Sequence, residues 1–298
     1  MDAQAAAERL WPGRPKVVRP LLGGITNMNF RIDVDGRSYV LRMGGAKTDL
    51  LGIDRSIERA AAVRAAEVGV GPPVERFVEA EEWLITKFIE GRPIPVEEMR
   101  QPETIRRVAG ALRRFHGAGT IPGRFDSHDV VELYAREAEQ HGVRVPPAFA
   151  RARVISDRIR DSRGRQPLVP CHNDLLNGNF LDDGEIRIVD WEYAGMGDRF
   201  FDLANFSVNH GFDEDPDREL LVSYFGSAGD AHLRELRQMK FMSDFREAMW
   251  GAVQQAVSAL DFDFVAYTDE HFARLDATAA SPRFREALDY VTQAQPSQ

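Results

Sequence analysis

A single cysteine, Cys171, in 298 residues excludes any intramolecular disulfide and makes an oxidising compartment unnecessary. No run approaches the roughly 18 consecutive apolar residues that a membrane helix needs. The opening Met1-Asp2-Ala3-Gln4 lacks the basic start and apolar stretch of a secretory signal, and the closing Gln295-Pro296-Ser297-Gln298 carries no prenylation signal. Basic residues are in the minority. With 38 Lys and Arg against 47 Asp and Glu, the formal net charge is −9, which argues against a nucleic-acid partner and suits a cationic ligand. Internal repeats and low-complexity segments are missing as well. The expectation is a cytoplasmic protein that partners neither nucleic acid nor membrane. With 43% hydrophobic and 29% charged residues, the chain has the composition of a folded soluble protein. At roughly 150 residues per domain, its length suggests one large domain or two lobes.

The first part reads as strands and tight turns. Residues 17–22 form an apolar strand closing on Gly23-Gly24. Asn29 to Val34 alternates, with Phe30, Ile32 and Val34 on one side. Asp35-Gly36 is a hairpin turn, and Arg37 to Met43 returns. Ile53 to Val68 is an alanine-rich helix with Asp54 or Ser56 as cap and Gly69 past its end. Strands follow at Val74 to Val78 and Trp83 to Phe88, and Glu90-Gly91-Arg92-Pro93 reads as a hinge. The pattern then turns helical: Ile105, Val108, Ala109, Leu112 and Phe115 keep a 3.6-residue period, and Val130 to Ala138 is a second helix. A loop and short hairpin cover residues 168–191, and helices resume from Glu219, through Met239 to Leu260 and Asp269 to Leu275. The expected fold is α+β and bilobal, with a small β-rich lobe over residues 1–91 and a larger, mostly helical lobe over 92–298.

The chemistry is concentrated in Cys171-His172-Asn173-Asp174-Leu175-Leu176-Asn177-Gly178-Asn179 and in Ile188-Val189-Asp190-Trp191-Glu192. Asp183-Gly184 between them is a second hairpin signal. A two-residue loop there makes 182 face 185 and 179 face 188, with Asp190 on the same face as Ile188. Asn179 and Asp190 are then diagonal neighbours, their Cβ atoms about 7 Å apart or less. An amide oxygen and a carboxylate at that span suit one Mg²⁺ bound to nucleotide phosphates. Asp174, five residues before Asn179, can take a hydrogen bond from an alcohol aimed at the terminal phosphate, the pattern His-x-Asp-x-x-x-x-Asn of a kinase catalytic loop. In the first hairpin, 34 faces 37 and 29 faces 42, so Arg42 lies opposite the apolar face, where its guanidinium fork can hold phosphate oxygens. Glu58 in the following helix is its candidate partner. The loop Gly23-Gly24-Ile25-Thr26-Asn27 would lie over the phosphates. His172 and Trp191 are expected to buttress the loop and hairpin, Cys171 and His116 to pack, and Asp202 to fix the loop.

These stretches resemble the choline/ethanolamine kinase family, within the wider group that includes aminoglycoside phosphotransferases. The resemblance rests on residues 23–30, Val40-Leu41-Arg42, His172 to Asn179, Asp190 to Gly195, Phe201-Asp202-Leu203-Ala204, and Trp250-Gly251 through Tyr267. It implies a protein-kinase-like fold with ATP in the cleft, Asp174 as the catalytic residue, and Asn179 and Asp190 as magnesium ligands. It also implies Arg42 on the phosphates with Glu58 behind it, Thr26 and Asn27 in the phosphate loop, and Thr86, Lys87, Phe88 and Ile89 as the hinge that meets adenine.

The resemblance further implies an acceptor pocket with Trp250 and Tyr267 as cage rings and Glu192 nearby. Glu247 stands where many members carry another ring. One helical turn apart, Glu247 and Trp250 would present a carboxylate and a π-face to one ammonium group, with ring stacking contributing about 0.5–2 kcal/mol. The expected activity is transfer of the γ-phosphoryl group of ATP, with Mg²⁺, to choline or a related cationic amino alcohol. Ethanolamine, thiamine or an aminoglycoside are alternative acceptors, and a non-catalytic nucleotide-binding protein is the remaining alternative.

Overall fold

Residues 2–21, 27–45, 48–258 and 260–289 are described by the computed structural model. The glycine loop with Thr26 lies outside them.

Helix α1 (Ala3–Leu10) is capped by Asp2, whose carboxylate accepts from Ala5 N at 2.7 Å. Strands β1 (Lys16–Leu21), β2 (Asn27–Val34) and β3 (Arg37–Gly44) follow, then α2 (Arg55–Glu67), β4 (Val74–Val78) and β5 (Trp83–Lys87). The five strands form one antiparallel sheet in the order β1-β2-β3-β5-β4. The β2–β3 hairpin has the expected register, Val34 opposite Arg37 and Asn29 opposite Arg42. Asp35 and Gly36 both adopt positive φ, 51° and 72°, the tight turn that lets two residues join twisted strands. Helix α2 starts where expected, Asp54 accepting from Ser56 N at 2.8 Å.

The second part begins with β6 (Arg92–Pro93) and α3 (Val96–Met99). Then come α4 (Pro102–His116), α5 (Ser127–Gln140), α6 (Ala148–Arg163), β7 (Leu168–Cys171), β8 (Phe180–Asp182), β9 (Ile186–Ile188) and β10 (Gly195–Asp198). Helices α7 (Arg199–Asn209), α8 (Glu214–Phe225), α9 (Asp230–Val257), α10 (Phe264–Ala280) and α11 (Pro282–Asp289) complete it. The segment read as a hinge enters this part directly, since Arg92 and Pro93 pair with Asp182 and Leu181. Helix α5 runs past both ends of the expected 130–138 because Asp126 caps it and Ala138 and Tyr134 are buried beneath it. Helices α1, α6, α7 and α11 lie outside the stretches that read as helical in the sequence.

Of two apolar clusters, the larger is shared by the β-rich and helical parts. A small apolar cluster joins α1 to the outer face of the sheet through Ala6, Ala7, Leu10, Ile32, Leu41 and Ile85. The large cluster includes Ala61, Ala62 and Ala65 of α2 together with Phe115, Ile188 and Trp191. Alanines on α2 let the helix sit against the body, and Ile188 N donates to Val70 O at 2.8 Å across that junction. Gly71 is required there: a Cβ on it would lie 2.9 Å from the Ala65 Cβ and 3.3 Å from Trp191 Nε1. The sheet is thereby anchored against the hairpin that carries the metal-ligand candidates.

Candidate active site

The loop after β7 is held by two side chains of α7, one helical turn apart. Asp202 accepts from the amides of His172 (2.8 Å) and Asn173 (2.7 Å), and Asn205 Oδ1 accepts from Leu175 N (2.6 Å). Asn173 sits at φ 66°, a left-handed backbone normally costly for a side chain. Asp202 and the Tyr193 carbonyl, which accepts from Asn173 Nδ2 at 3.0 Å, over-determine that conformation. His172 is a buttress: its Nδ1 accepts from Asp174 N at 3.2 Å and its Nε2 donates to Val189 O at 2.9 Å. Burial pushes its imidazole down in pKa, which keeps this neutral tautomer. His116 does more than pack, bridging Tyr224 O–H (2.7 Å) and Asp202 (3.0 Å). Cys171 is buried, and burial pushes its thiol up, away from reactivity.

Asp174 is therefore fixed through its backbone. Its carbonyl accepts from Asn179 Nδ2 at 2.8 Å, which leaves the Asn179 amide oxygen to turn away from the loop. The hairpin that follows differs from the expectation. Phe180 pairs with Ile188 and Asp182 with Ile186, so the turn has three residues, 183–185, with Gly184 at φ 104°. Asp182 adds the side-chain bond that favours it, accepting from Gly184 N at 3.0 Å. Asn179 thus lies opposite Val189, whose N–H donates to its carbonyl at 3.0 Å. Asp190 reaches the site by a left-handed backbone (φ 66°) just beyond β9 rather than by strand alternation.

On the β-sheet side, Arg42 of β3 pairs with Glu58 of α2 through Nη2, and its Nη1 lies 3.7 Å from Asp190 Oδ1. Sequence reading missed Arg55, one turn before Glu58. It donates to Glu58 (2.8 Å), Glu192 (3.1 Å) and Asn27 Oδ1 (2.9 Å). Glu192, expected with the acceptor group, belongs to this cluster instead and also accepts from Asn27 Nδ2 at 2.8 Å. Glu192 and Tyr193 diverge in their turn, the tyrosine facing α9. Asn27 correspondingly ties β2 to Glu192 through its Nδ2 and to Arg55 through its Oδ1, so both ends of its amide are engaged. Arg42 Nη1 and Asp190 Oδ1 are buried atoms without a hydrogen-bond partner among the described residues. Burial lowers Arg42 to about 10, against the pull of Asp190. Loss of solvation, then Glu192, raises Asp190 to about 7. An orphaned carboxylate oxygen beside an orphaned guanidinium nitrogen is the donor set that a hard cation and a phosphate would satisfy. Asn179 and Asp190 fit the metal, and Arg42 fits the phosphate.

The other side of Asp174 holds the largest surprise. Arg246 on α9, 1% exposed, places Nη1 at 3.2 Å from Asp174 Oδ1 and also bonds Glu247 Oε1. Its guanidinium lies over the Tyr193 ring, 4.5 Å from the centroid. Burial opposes its charge, but Glu247 and Asp174 more than offset this and hold its pKa well above the usual value. Asp174 is pushed up to about 7, by burial first, with Arg246 opposing and Glu247 and Glu192 adding. Glu247 and Trp250 meet as expected around Tyr267. The Tyr267 hydroxyl donates to Glu247 Oε2 at 2.9 Å, and the two rings stand edge to face at 5.8 Å. The Trp250 indole donates to Tyr193 O–H at 3.0 Å, and Phe264 adds an edge at 5.9 Å. Only its position in a helix of mixed polarity (Asp244-Phe245-Arg246-Glu247) could have flagged Arg246.

The hinge residues follow β5. Thr86 pairs with Val40, Lys87 N donates to Pro73 O (2.9 Å), and Phe88 N donates to Ser38 O (3.0 Å). The amides of Lys87 and Phe88 are therefore already bonded. Phe88 carries Arg31 on its face at 4.1 Å.

A model of the phosphotransferase enzyme family matches residues 17–242. The crystal structure of a choline/ethanolamine kinase family protein from Mesorhizobium loti is 32% identical, covers 96% of this chain and 97% of its own, and superposes with a TM-score of 0.82. Ethanolamine kinase 2 of Rattus norvegicus is 25% identical over 277 residues, 82% of this chain and 71% of that protein. Probable choline kinase 1 of Arabidopsis thaliana is 25% identical over 297 residues, 86% of this chain and 84% of that protein.

Proposed function

The chain belongs to the phosphotransferase enzyme family, and on that premise we propose that it moves the γ-phosphoryl group of ATP, with Mg²⁺, to the hydroxyl of choline or a related amino alcohol. The observation that carries this reading is the proximity of Asp174, Asn179, Asp190 and Arg42: Asn179 is bonded to the Asp174 carbonyl at 2.8 Å, Arg42 lies 3.7 Å from Asp190, and the Asp174 charge acts on Asp190.

The acceptor oxygen attacks the γ-phosphorus as the bond to the bridging β–γ oxygen breaks, ADP leaves, and the hydroxyl proton passes to Asp174. A magnesium ion held by the Asn179 amide oxygen and the Asp190 carboxylate would neutralise the phosphate oxygens. Arg42 contributes its free Nη1 edge to the phosphates while Glu58 fixes the rest of the guanidinium. Asp174, with its pKa raised to about 7, is matched to accepting a proton late in a loose transition state.

Glu247, held by Tyr267 and Arg246, lies one helical turn before Trp250 on α9, and an ammonium would sit against both. A primary ammonium would also donate to that carboxylate, which favours ethanolamine as a second reading. Purified protein with MgATP and choline or ethanolamine should release ADP only when acceptor is present, and chelation of the metal should stop it. If neither alcohol is consumed, the acceptor reading is wrong.

A further inference from the structure

Arg246 raises a question that a bare amino alcohol does not answer. The side chain is 1% exposed, and among the described residues the hydrogen bonds of its guanidinium run from Nη1 alone, to Asp174 and Glu247. Nε and Nη2 are buried without a hydrogen-bond partner among the described residues. Together they form a flat two-donor edge of the kind that receives a pair of oxygen lone pairs. Leaving one such buried donor unsatisfied is costly, and leaving two adjacent ones calls for an occupant.

Position and charge narrow that occupant. The edge belongs to the group that touches Asp174, so whatever it binds lies within a few atoms of the reacting hydroxyl. Around this guanidinium stand two carboxylates, Asp174 and Glu247, against one positive charge. That count leaves room for one further cation, the acceptor's ammonium at Glu247 and Trp250. It favours a neutral oxygen over an anionic one at the open edge, since a carboxylate there would face two existing carboxylates.

Resting on the kinase reading above, we propose that Arg246 is a specificity-determining residue and that the acceptor is an amino alcohol bearing a second oxygen function next to its reacting hydroxyl. The ammonium meets Glu247 and Trp250, the reacting hydroxyl meets Asp174, and the second oxygen meets Nε and Nη2 of Arg246. Choline and ethanolamine fill the first two places and leave the third empty.

A matched series tests this on the whole protein: ethanolamine, 2-amino-1,3-propanediol, which adds a hydroxymethyl group, and L-serine, which adds a carboxylate. Turnover is followed with MgATP, and binding by calorimetry with Mg²⁺ and a non-hydrolysable ATP analogue. The diol should exceed ethanolamine in kcat/KM and in affinity by about 10- to 100-fold, the range for hydrogen bonds to a charged group. L-Serine should fall between the two, and a larger gain for it would assign the edge to an anion while keeping the second oxygen. Arg246→Lys keeps the charge but loses the fork, and should bring the diol-to-ethanolamine ratio to near one. The wild-type series decides the matter even if that variant does not fold. If ethanolamine is phosphorylated and neither oxygenated analogue improves on it, the inference falls and the kinase reading stands. If no alcohol is phosphorylated yet the diol binds more tightly in an Arg246-dependent way, the kinase reading falls and the inference stands.

Discussion

The two sides of the cleft use the same parts in different ways. On the sheet side, Arg42 and Arg55 are neutralised by Glu58, Asp190 and Glu192, residues drawn from β3, α2 and the turn after β9. On the helical side, Arg246 is neutralised by its own neighbour Glu247 and by Asp174. The first cluster spans the junction between the β-rich and helical parts, so its ion pairs set how the two approach each other. The second joins two neighbours on α9, Arg246 and Glu247, to Asp174 of the loop after β7. A buried ion pair is weak evidence for stability and costly to break. Each cluster leaves guanidinium nitrogens without a hydrogen-bond partner among the described residues, Nη1 of Arg42 and Nε and Nη2 of Arg246.

The sharpest way to break this comparison is to remove one carboxylate from each kind of place. Asp174→Ala should lower kcat by about 10²–10⁴-fold or more while leaving MgATP affinity nearly intact, because its part is proton acceptance and orientation. Asp190→Ala should abolish metal-dependent nucleotide binding altogether. Equal loss of nucleotide affinity in both variants, measured by calorimetry, would remove the separation of roles.

Next in size are the supporting carboxylates. Glu58→Gln leaves Arg42 and Arg55 short of charge in a buried junction, so a loss of about 3–5 kcal/mol in unfolding free energy is expected, together with a higher KM for ATP. Glu247→Gln should raise the KM of the amino alcohol and leave that of ATP unmoved. If the two variants produce the same pattern, the clusters are one unit and the division into sides is wrong.

The sheet side was also the legible one. Asp35-Gly36 fixes a hairpin register, and the register places Arg42 on the cleft face; Asp54 marks the start of the helix that carries Glu58. Likewise the order of Asp174, Asn179 and Asp190 matches the pattern of a kinase catalytic loop in the sequence itself. The illegible features depend on tertiary choice. The second hairpin chose a three-residue turn because Asp182 could bond Gly184 N, which moved Asn179 opposite Val189. Glu192 and Tyr193 part company in a turn that no periodicity describes. Arg246 reads as an ordinary polar helix residue, since nothing local shows that its neighbours across space are Asp174 and Tyr193. Asn205, which clamps the loop beside the expected Asp202, is hidden in an otherwise apolar helix for the same reason.

A smaller effect separates the charged cleft from the interior behind it. All seven histidines lie after residue 115, in the helical part. His210 is kept neutral there, its Nδ1–H donating to Phe206 O at 2.7 Å, with burial lowering its pKa to about 4. Its folded pKa is below the unfolded value near 6.5, so the unfolded chain takes up the proton first as pH falls. The stability it contributes is whole above about pH 6.5 and is lost progressively down to about pH 4. Urea unfolding of wild type and His210→Gln should therefore show a difference that shrinks by about 2–3 kcal/mol between pH 7 and pH 4. A pH-independent difference would mean that the ring is solvated and titrates normally.

The finest test lies on the acceptor side, at Trp250. Its ring meets Tyr267 and Phe264 edge to face and its indole N–H is held by Tyr193, so the π-face has a fixed direction beside Glu247. A cation against that face gains about 0.5–2 kcal/mol, which is about 2- to 30-fold in affinity. Trp250→Leu keeps an apolar side chain and removes the quadrupole, so the KM of a cationic acceptor should rise within that range while the KM of ATP stays put. A neutral alcohol of the same shape, lacking the ammonium, should bind the variant and the wild type alike. Should the neutral alcohol lose as much as the cation, Trp250 acts through packing alone, and charge recognition on this side would rest on Glu247.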